Sequence, residues 1–294
     1  SVIAISLKES GPVLGEVQIV SQAPGCRSLV RTVRLVAGHP SVEITNIVDK
    51  LPLLPKDGVH FAFPFQIPGG KTRVDVPWGV MELEKDQWRE GNRAYMVTQQ
   101  FADISNDSIG VTWCSLDAPL MESGAITANN TANWDGVGDI WSAPYAPASV
   151  LYSWVMNNHW FTNTPLTQEG AVAFRYALHP HGRYEAAEAY RFGREHSHPL
   201  IALVTSKDPV IRPPLALAND RVAVTILKAT TDGMTTIIRL RSFSPKEESV
   251  GLSWPARTPR QVRVCERGEE PGPKDASRTV TVPPMGMVTL RAEW

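Results

Sequence analysis

Apolar residues fall at every second position through "VLGEVQIV", "SLVRTVRLV" and "SVEITNIVDK", the period of a strand that buries one face and wets the other. These segments lie about 10 to 14 residues apart and are joined by the turn signals "QAPG" and "AGHP", a spacing that suits antiparallel sheets better than βαβ units. The same texture returns in "VHFAFPFQI", "RAYMVTQQFADI", "SIGVTWCSL", "ASVLYSWVM" and "GAVAFRYAL". One segment departs from it. "RYEAAEAYRFGREH" is rich in Ala and Glu and sets Ala186 and Tyr190 four residues apart, which predicts a single helix in a β chain. From about Arg221 short strands resume in "VAVTILKA", "MTTIIRLRSF", "SVGLSW", "RQVRVC", "RTVTV" and "MVTLRAEW". The connector before them, "DPVIRPPLAL", carries prolines that cannot join a central ladder. It marks a boundary between a domain over residues 1–212 and another over 220–294. The expectation is an all-β chain, a large antiparallel sandwich followed by a small β-sandwich domain.

Composition narrows the function classes. Twenty-nine Lys and Arg against 30 Asp and Glu leave a net charge of -1, so there is no global electrostatic footprint for nucleic acid or an anionic membrane. No apolar run approaches the roughly 20 residues of a spanning helix, and no leader with a cleavage site opens the chain. The expectation is a soluble protein with neither nucleic acid nor membrane as partner, cytoplasmic or periplasmic without a signal to choose. The chain starts at Ser1 without a methionine, which suggests a segment of something longer. Cys26, Cys114 and Cys265 are far apart and odd in number, as reduced core residues are, and they spell no disulfide framework or zinc knuckle.

Candidate chemistry gathers in "VMNNHWFTN". In an extended chain Asn157, His159 and Phe161 point one way and Asn158 and Trp160 the other. Asn157, Asn158, His159, Trp160 and Asn163 supply what a sugar site uses, planar amides for hydroxyls and an aromatic ring for the apolar face of a pyranose. The same side chains equally suit a buried loop whose amides satisfy unpaired backbone groups. Asp117, before a proline in "SLDAPL", reads as a turn former or a site acid. Arg175, inside "AVAFRYAL", alternates into a buried strand and calls for a partner such as Asp117 or Glu169. The pairs His179/His181 and His196/His198 flank the predicted helix, but their spacing lacks the Cys or carboxylate ligands that close zinc sites. Trp78, Trp88, Trp134 and Trp141 lie in long connections, where core packing beneath loops is favoured over a sugar-stacking wall. Asn-x-Ser/Thr triplets at Asn106 and Asn129 do not fix a compartment.

Six motifs in order, "HPSVEITNIVDK", "VHFAFPF", "FADISNDSIGVTWCSLDAPLMESG", "SWVMNNHWFTN", "QEGAVAFRYALHPHG" and "LKATTDGMTTIIRLRSFS", resemble the C-terminal β region of glycoside hydrolase family 38, the α-mannosidases. The resemblance spans roughly Leu29 to Arg291 and implies a galactose-mutarotase-like super-sandwich plus a smaller β domain. It also implies an N-terminal α/β barrel and a helical bundle that these residues do not contain. Such enzymes are retaining glycosidases whose zinc, held by aspartates and histidines, and whose aspartate nucleophile belong to the barrel. Retention needs two carboxyl groups about 5 to 5.5 Å apart, and no motif here supplies that pair. The resemblance therefore implies a non-catalytic role with no cofactor in this chain, and as partners a mannoside-like carbohydrate and the N-terminal barrel. A free-standing carbohydrate-binding sandwich is the alternative. A mutarotase- or epimerase-like enzyme, with His159 as acid/base and Glu169 as its carboxylate, is the third.

Overall fold

The computed structural model describes residues 1–55, 57–88, 91–127, 150–158, 165–205 and 212–294. Among them it is an all-β sandwich chain with one α-helix. It divides into two compact units, Ser1–Tyr184 with Ala189–Pro199, and Glu185–Glu188 with Leu200–Trp294.

The first unit opens with four long strands, β1 (Val2–Ser10), β2 (Leu14–Ser21), β3 (Cys26–Val36) and β4 (Val42–Lys50). Then come β5 (Gly58–Pro64), β6 (Lys71–Val76), β7 (Gly79–Glu82), β8 (Met96–Val97) and β9 (Ala102–Ser105). It closes with β10 (Gly110–Ser115), β11 (Leu120–Ser123), β12 (Val150–Asn157) and β13 (Gly170–His181). Nine strands form one antiparallel sheet in the order β1-β2-β3-β4-β13-β10-β9-β6-β7, and four form a second, β5-β12-β11-β8. Alternation decides what lies between the sheets. Phe174 and Tyr176 of β13, Trp113 of β10, Val48 of β4 and Val74 of β6 meet Phe61 and Phe63 of β5, Met121 of β11 and Leu151 of β12. The rings of Phe63, Trp113 and Tyr176 contact one another at centroid distances of 4.8–5.7 Å. Each such side chain stabilises the fold by about 1.5–3 kcal/mol through burial.

The segment "RAYMVTQQFADI" is not one strand. It crosses from the four-stranded sheet (β8) to the nine-stranded one (β9), and the link is held by Gln99 N donating to Asp75 O at 2.9 Å and Thr98 N to Pro119 O at 2.9 Å. Phe101, fully buried, stands at the crossover.

Helix α1 (Ala186–Ser197) turns Phe192 onto Cys114 and Ala177, on the outer side of the nine-stranded sheet. Gly193 permits this seat, because a Cβ there would stand 2.7 Å from the Gln100 carbonyl oxygen. The second unit carries β14 (Ala216–Leu217), β15 (Val222–Ala229), β16 (Thr235–Ser242), β17 (Glu248–Ser253), β18 (Gln261–Cys265), β19 (Pro271–Asp275), β20 (Thr279–Val282) and β21 (Met287–Glu293). A sheet β14-β17-β20 faces a sheet β15-β16-β21-β18-β19. Val250, Val280 and Val282 from one pack with Ile238, Leu240, Val262 and Leu290 from the other.

Candidate functional site

The asparagine segment begins where β12 ends. Asn157 pairs with Gly58 as the last rung of the β5–β12 ladder, and Asn158 N extends it by donating to Asp57 O at 3.1 Å. The Asn158 carboxamide is then spent on backbone: its Nδ2 donates to Leu53 O at 3.2 Å and Pro55 O at 2.8 Å, and its Oδ1 accepts from Asp57 N. One side chain thus ties down the connection between β4 and β5, satisfying carbonyls that no strand pairs. Beside it Lys50 Nζ, on a largely buried side chain, meets Asp57 Oδ2 at 2.7 Å. Asn157 and Asn158 border a cavity of about 20 Å³, room for a water molecule. His159, Trp160 and Asn163 lie outside the described residues, as do Trp134, Trp141 and Asn129.

Asp117 and Arg175 are brought together. Arg175 Nε and Nη2 reach the two Asp117 oxygens at 3.0 and 2.7 Å, and Arg175 N donates to Oδ2 at 2.7 Å. These hydrogen bonds hold the Asp117 carboxyl below its ordinary pKa, against a smaller opposing effect of burial. Arg175 does not enter the core as the alternation argument expected. Its neighbours Phe174 and Tyr176 take the inward positions, which leaves its side chain 58% exposed on the outer side. Trp78 and Trp88 are likewise exposed rather than packed beneath loops.

Two acid–histidine pairs were not read from the sequence. Asp103 of β9, fully buried, accepts from Thr112 Oγ1 at 2.9 Å and Ser105 Oγ at 2.5 Å, and its Oδ2 lies 2.7 Å from His181 Nε2. The other ring nitrogen of His181 is 3.0 Å from the Gly182 carbonyl oxygen, so both positions face acceptors, which favours the protonated form of the ring. Burial works against the charge, but Asp103 and the nearby carbonyls outweigh it and raise the His181 pKa. The approach of the ring requires Gly110, where a Cβ would stand 2.3 Å from His181 Cε1. Arg73 lies 4.4 Å above the Tyr184 ring and 3.9 Å from Asp103 Oδ1, so a cation also borders the pair.

The second pair lies on the outer side of the four-stranded sheet. His60 Nε2 is 2.7 Å from Glu122 Oε2, with both side chains buried. Trp154, the cross-strand partner of His60, stacks on the imidazole at 5.7 Å, and Tyr95 meets the indole edge-on at 5.5 Å. Glu122 Oε1 accepts from Thr127 N at 2.6 Å. An imidazole–carboxylate pair against an indole is equipped for proton transfer or for holding a polar ring. The signal was present: in "VHFAFPF" the phenylalanines fill the inward positions and leave His60 on the outward row, opposite Trp154.

Around α1, His179 and His196 stand on either side of the Phe192 ring, at 5.2 and 4.3 Å. His179 Nδ1 lies 2.8 Å from Pro40 O. Among the described residues no three His, Cys, Asp or Glu side chains converge to hold a metal ion, and no helix is long and apolar enough to cross a membrane.

No family model matches the sequence, and no curated protein matches it. Among solved structures, an α-mannosidase from Enterococcus faecalis V583 superposes with a TM-score of 0.73 at 15% identity, over 99% of this chain and 35% of that one. A glycosyl hydrolase family 38 protein from Enterococcus faecalis gives 0.71 at 15% identity, over 99% and 36%. The chain shares their fold and spans about a third of their length. A galactose 1-epimerase from Lactobacillus acidophilus NCFM reaches only 0.33 at 9% identity, over 61% of this chain and 66% of that one, too little to carry an argument.

Proposed function

We propose that the chain is the non-catalytic β region of a family-38-like α-mannosidase, supporting a catalytic barrel carried elsewhere in the polypeptide and walling its sugar cleft. The supporting observation is the extent of the likeness, nearly all of this chain against about a third of the α-mannosidase structure. A second feature agrees with it. In the nine-stranded sheet β3, β2 and β1 lead from β4 to one edge, while β5 is an edge strand of the partner sheet, and among the described residues the face that is core at Ile44 and Val48 continues across them toward exposed side chains on β1. Cross-strand pairs Val33–Ile44, Val17–Val33, Leu7–Val17 and Ile5–Ile19 keep these side chains on one side. Ile5 and Leu7 are 67% and 65% exposed. An apolar sheet face of this kind marks an interaction surface, and in this reading the barrel side of the enzyme covers it.

Zinc and the nucleophile then belong to the barrel; the acids and histidines described here do not form a fitting ligand set. Asn158 anchors the chain at the end of β12, and we assign substrate proximity to Asn157, Asn158, His159, Trp160 and Asn163 and to the Asp117–Arg175 pair. The test is an aryl α-mannoside assay on the purified chain, with and without added zinc, alongside metal analysis. The expected result is no turnover and no stoichiometric zinc. Turnover by the chain alone would overturn the accessory role.

A further inference from the structure

Arg31 and Asn46 face each other across β3 and β4, on the core side of the nine-stranded sheet. Alternation places them in the row of Leu29, Val33, Ile44 and Val48, so a guanidinium and a carboxamide stand where the pattern otherwise supplies aliphatic groups. Asn46 is 0% exposed, and Arg31 Nε donates to its Oδ1 at 2.7 Å. That bond fixes the amide orientation, because a guanidinium only donates and must meet the oxygen. Asn46 Nδ2 is consequently turned away, and among the described residues it has no hydrogen-bond partner. Buried amide donors are nearly always satisfied, so one that is not asks for an acceptor from outside.

Arg31 is short of a partner as well. Burial pulls its pKa down, opposed only by the Tyr176 phenol, and among the described residues no carboxylate is paired with it. Its other contact is the Phe61 ring, 6.0 Å away. Both residues open on a recess of about 240 Å³ walled by Ile44, Phe63, Pro64, Phe65 and Leu178. Pro64 is exposed, and Ile44, Phe65 and Leu178 are half-buried, which leaves the recess reachable from solvent in this chain taken alone, the state in which the site is proposed. At about 30 Å³ per water it has the volume of roughly eight waters, the scale of one substituted six-membered ring.

Arg31, which is charged, and Asn46 Nδ2 bring donors to this recess, while the side chains of its walls are aliphatic and aromatic. We propose that it is a binding site for a small carboxylate carried on a ring-sized body: the Arg31 Nη groups take the carboxylate, Asn46 Nδ2 adds a hydrogen bond, and the ring lies against Phe63 and Phe65. A planar carboxylate matches the fork of the guanidinium, and a pocket with apolar walls and few convergent polar groups is the usual form of a small-molecule site. A neutral sugar would leave the cation without a counter-charge. A phosphate would press its remaining oxygens onto the apolar walls.

Calorimetric titration of the 294-residue chain with benzoate, glucuronate and glucose at millimolar concentration tests this. At least one carboxylate binds and glucose does not; the stronger carboxylate tells an aromatic acid from a sugar acid. Arg31→Met keeps the aliphatic stem and weakens binding at least about tenfold, the scale of a lost charge-assisted bond. Asn46→Asp sets a carboxylate of the protein's own against Arg31, so it abolishes binding while the melting temperature is kept or raised. This second variant decides the matter where Arg31→Met fails to fold. Absence of binding by both carboxylates, equal binding of glucose, or affinity unchanged in a folded variant would overturn the site.

Discussion

Asn158 and His181 show how single side chains hold this fold, and both lend themselves to measurement. Asn158 satisfies two carbonyls and one N–H of the β4–β5 connection. Asn158→Ala leaves them without partners and is expected to cost on the order of 1–3 kcal/mol, read as a lower midpoint in urea. A midpoint within experimental error of the parent would show that water replaces the amide. His181 carries a pH signature. Its folded-state pKa lies above the ordinary value of about 6.5, because Asp103 and the surrounding carbonyls outweigh burial. A raised pKa means that the folded state holds the proton more tightly. The stabilisation is therefore fully present below about pH 6.5 and is lost as pH rises through the folded pKa. Stability of the parent minus that of His181→Gln should decline from about pH 6.5 upward; a difference that grows with pH would contradict the imidazolium assignment. The scaffold role of Asn158 was one of the two readings its segment allowed, but the His181 pair was not legible in the sequence. Asp103 and His181 are 78 residues apart, and only the β10–β9 and β10–β13 pairings bring them to one spot.

At the scale of elements, the strands with strict alternation were legible, and so was the helix. β3, β4, β12 and β13 fall where period two places them, since each buries one row against the opposite sheet. The short strands β6, β7 and β11 were not anticipated. They run for four to six residues and carry buried polar groups such as Asp75 and Glu122, which breaks the apolar alternation that reveals a strand. The split of "RAYMVTQQFADI" was hidden because its apolar residues are continuous, and continuity does not tell which sheet a residue serves. For α1 the packing outranks propensity. Alanine favours a helix over glycine by about 1 kcal/mol, yet a Cβ at position 193 would stand 2.7 Å from Gln100 O and 3.0 Å from Gln100 C. Gly193→Ala is thus expected to lower the melting temperature, and a rise would show that α1 can lift from the sheet without penalty.

For the whole molecule, the strand pairings place Ile5, Leu7, Val17 and Val33 on one face; alternation anticipated the strands of Val17 and Val33 but not β1, and it could not say what covers the face. Among the described residues, β5 is the last strand of the opposing sheet, and the burial implied by the pattern is not completed at Ile5 and Leu7 of β1. That mismatch is the physical ground for assigning the surface to a neighbouring domain. Ile5→Lys with Leu7→Lys should leave the isolated chain as stable as before, since both sites are already solvated, and in the proposed parent enzyme should disrupt activity by placing two charges in the proposed apolar interface. The most direct measurement is aryl α-mannoside hydrolysis by the product of the full reading frame in three forms: intact, with residues 1–294 deleted, and intact with Ile5→Lys and Leu7→Lys. The account predicts turnover by the intact form, with at least about a hundredfold loss in the other two, the scale expected when a reacting sugar is misplaced by about 1 Å. Full activity in the form that lacks these 294 residues, or a reading frame that encodes no barrel, would contradict it.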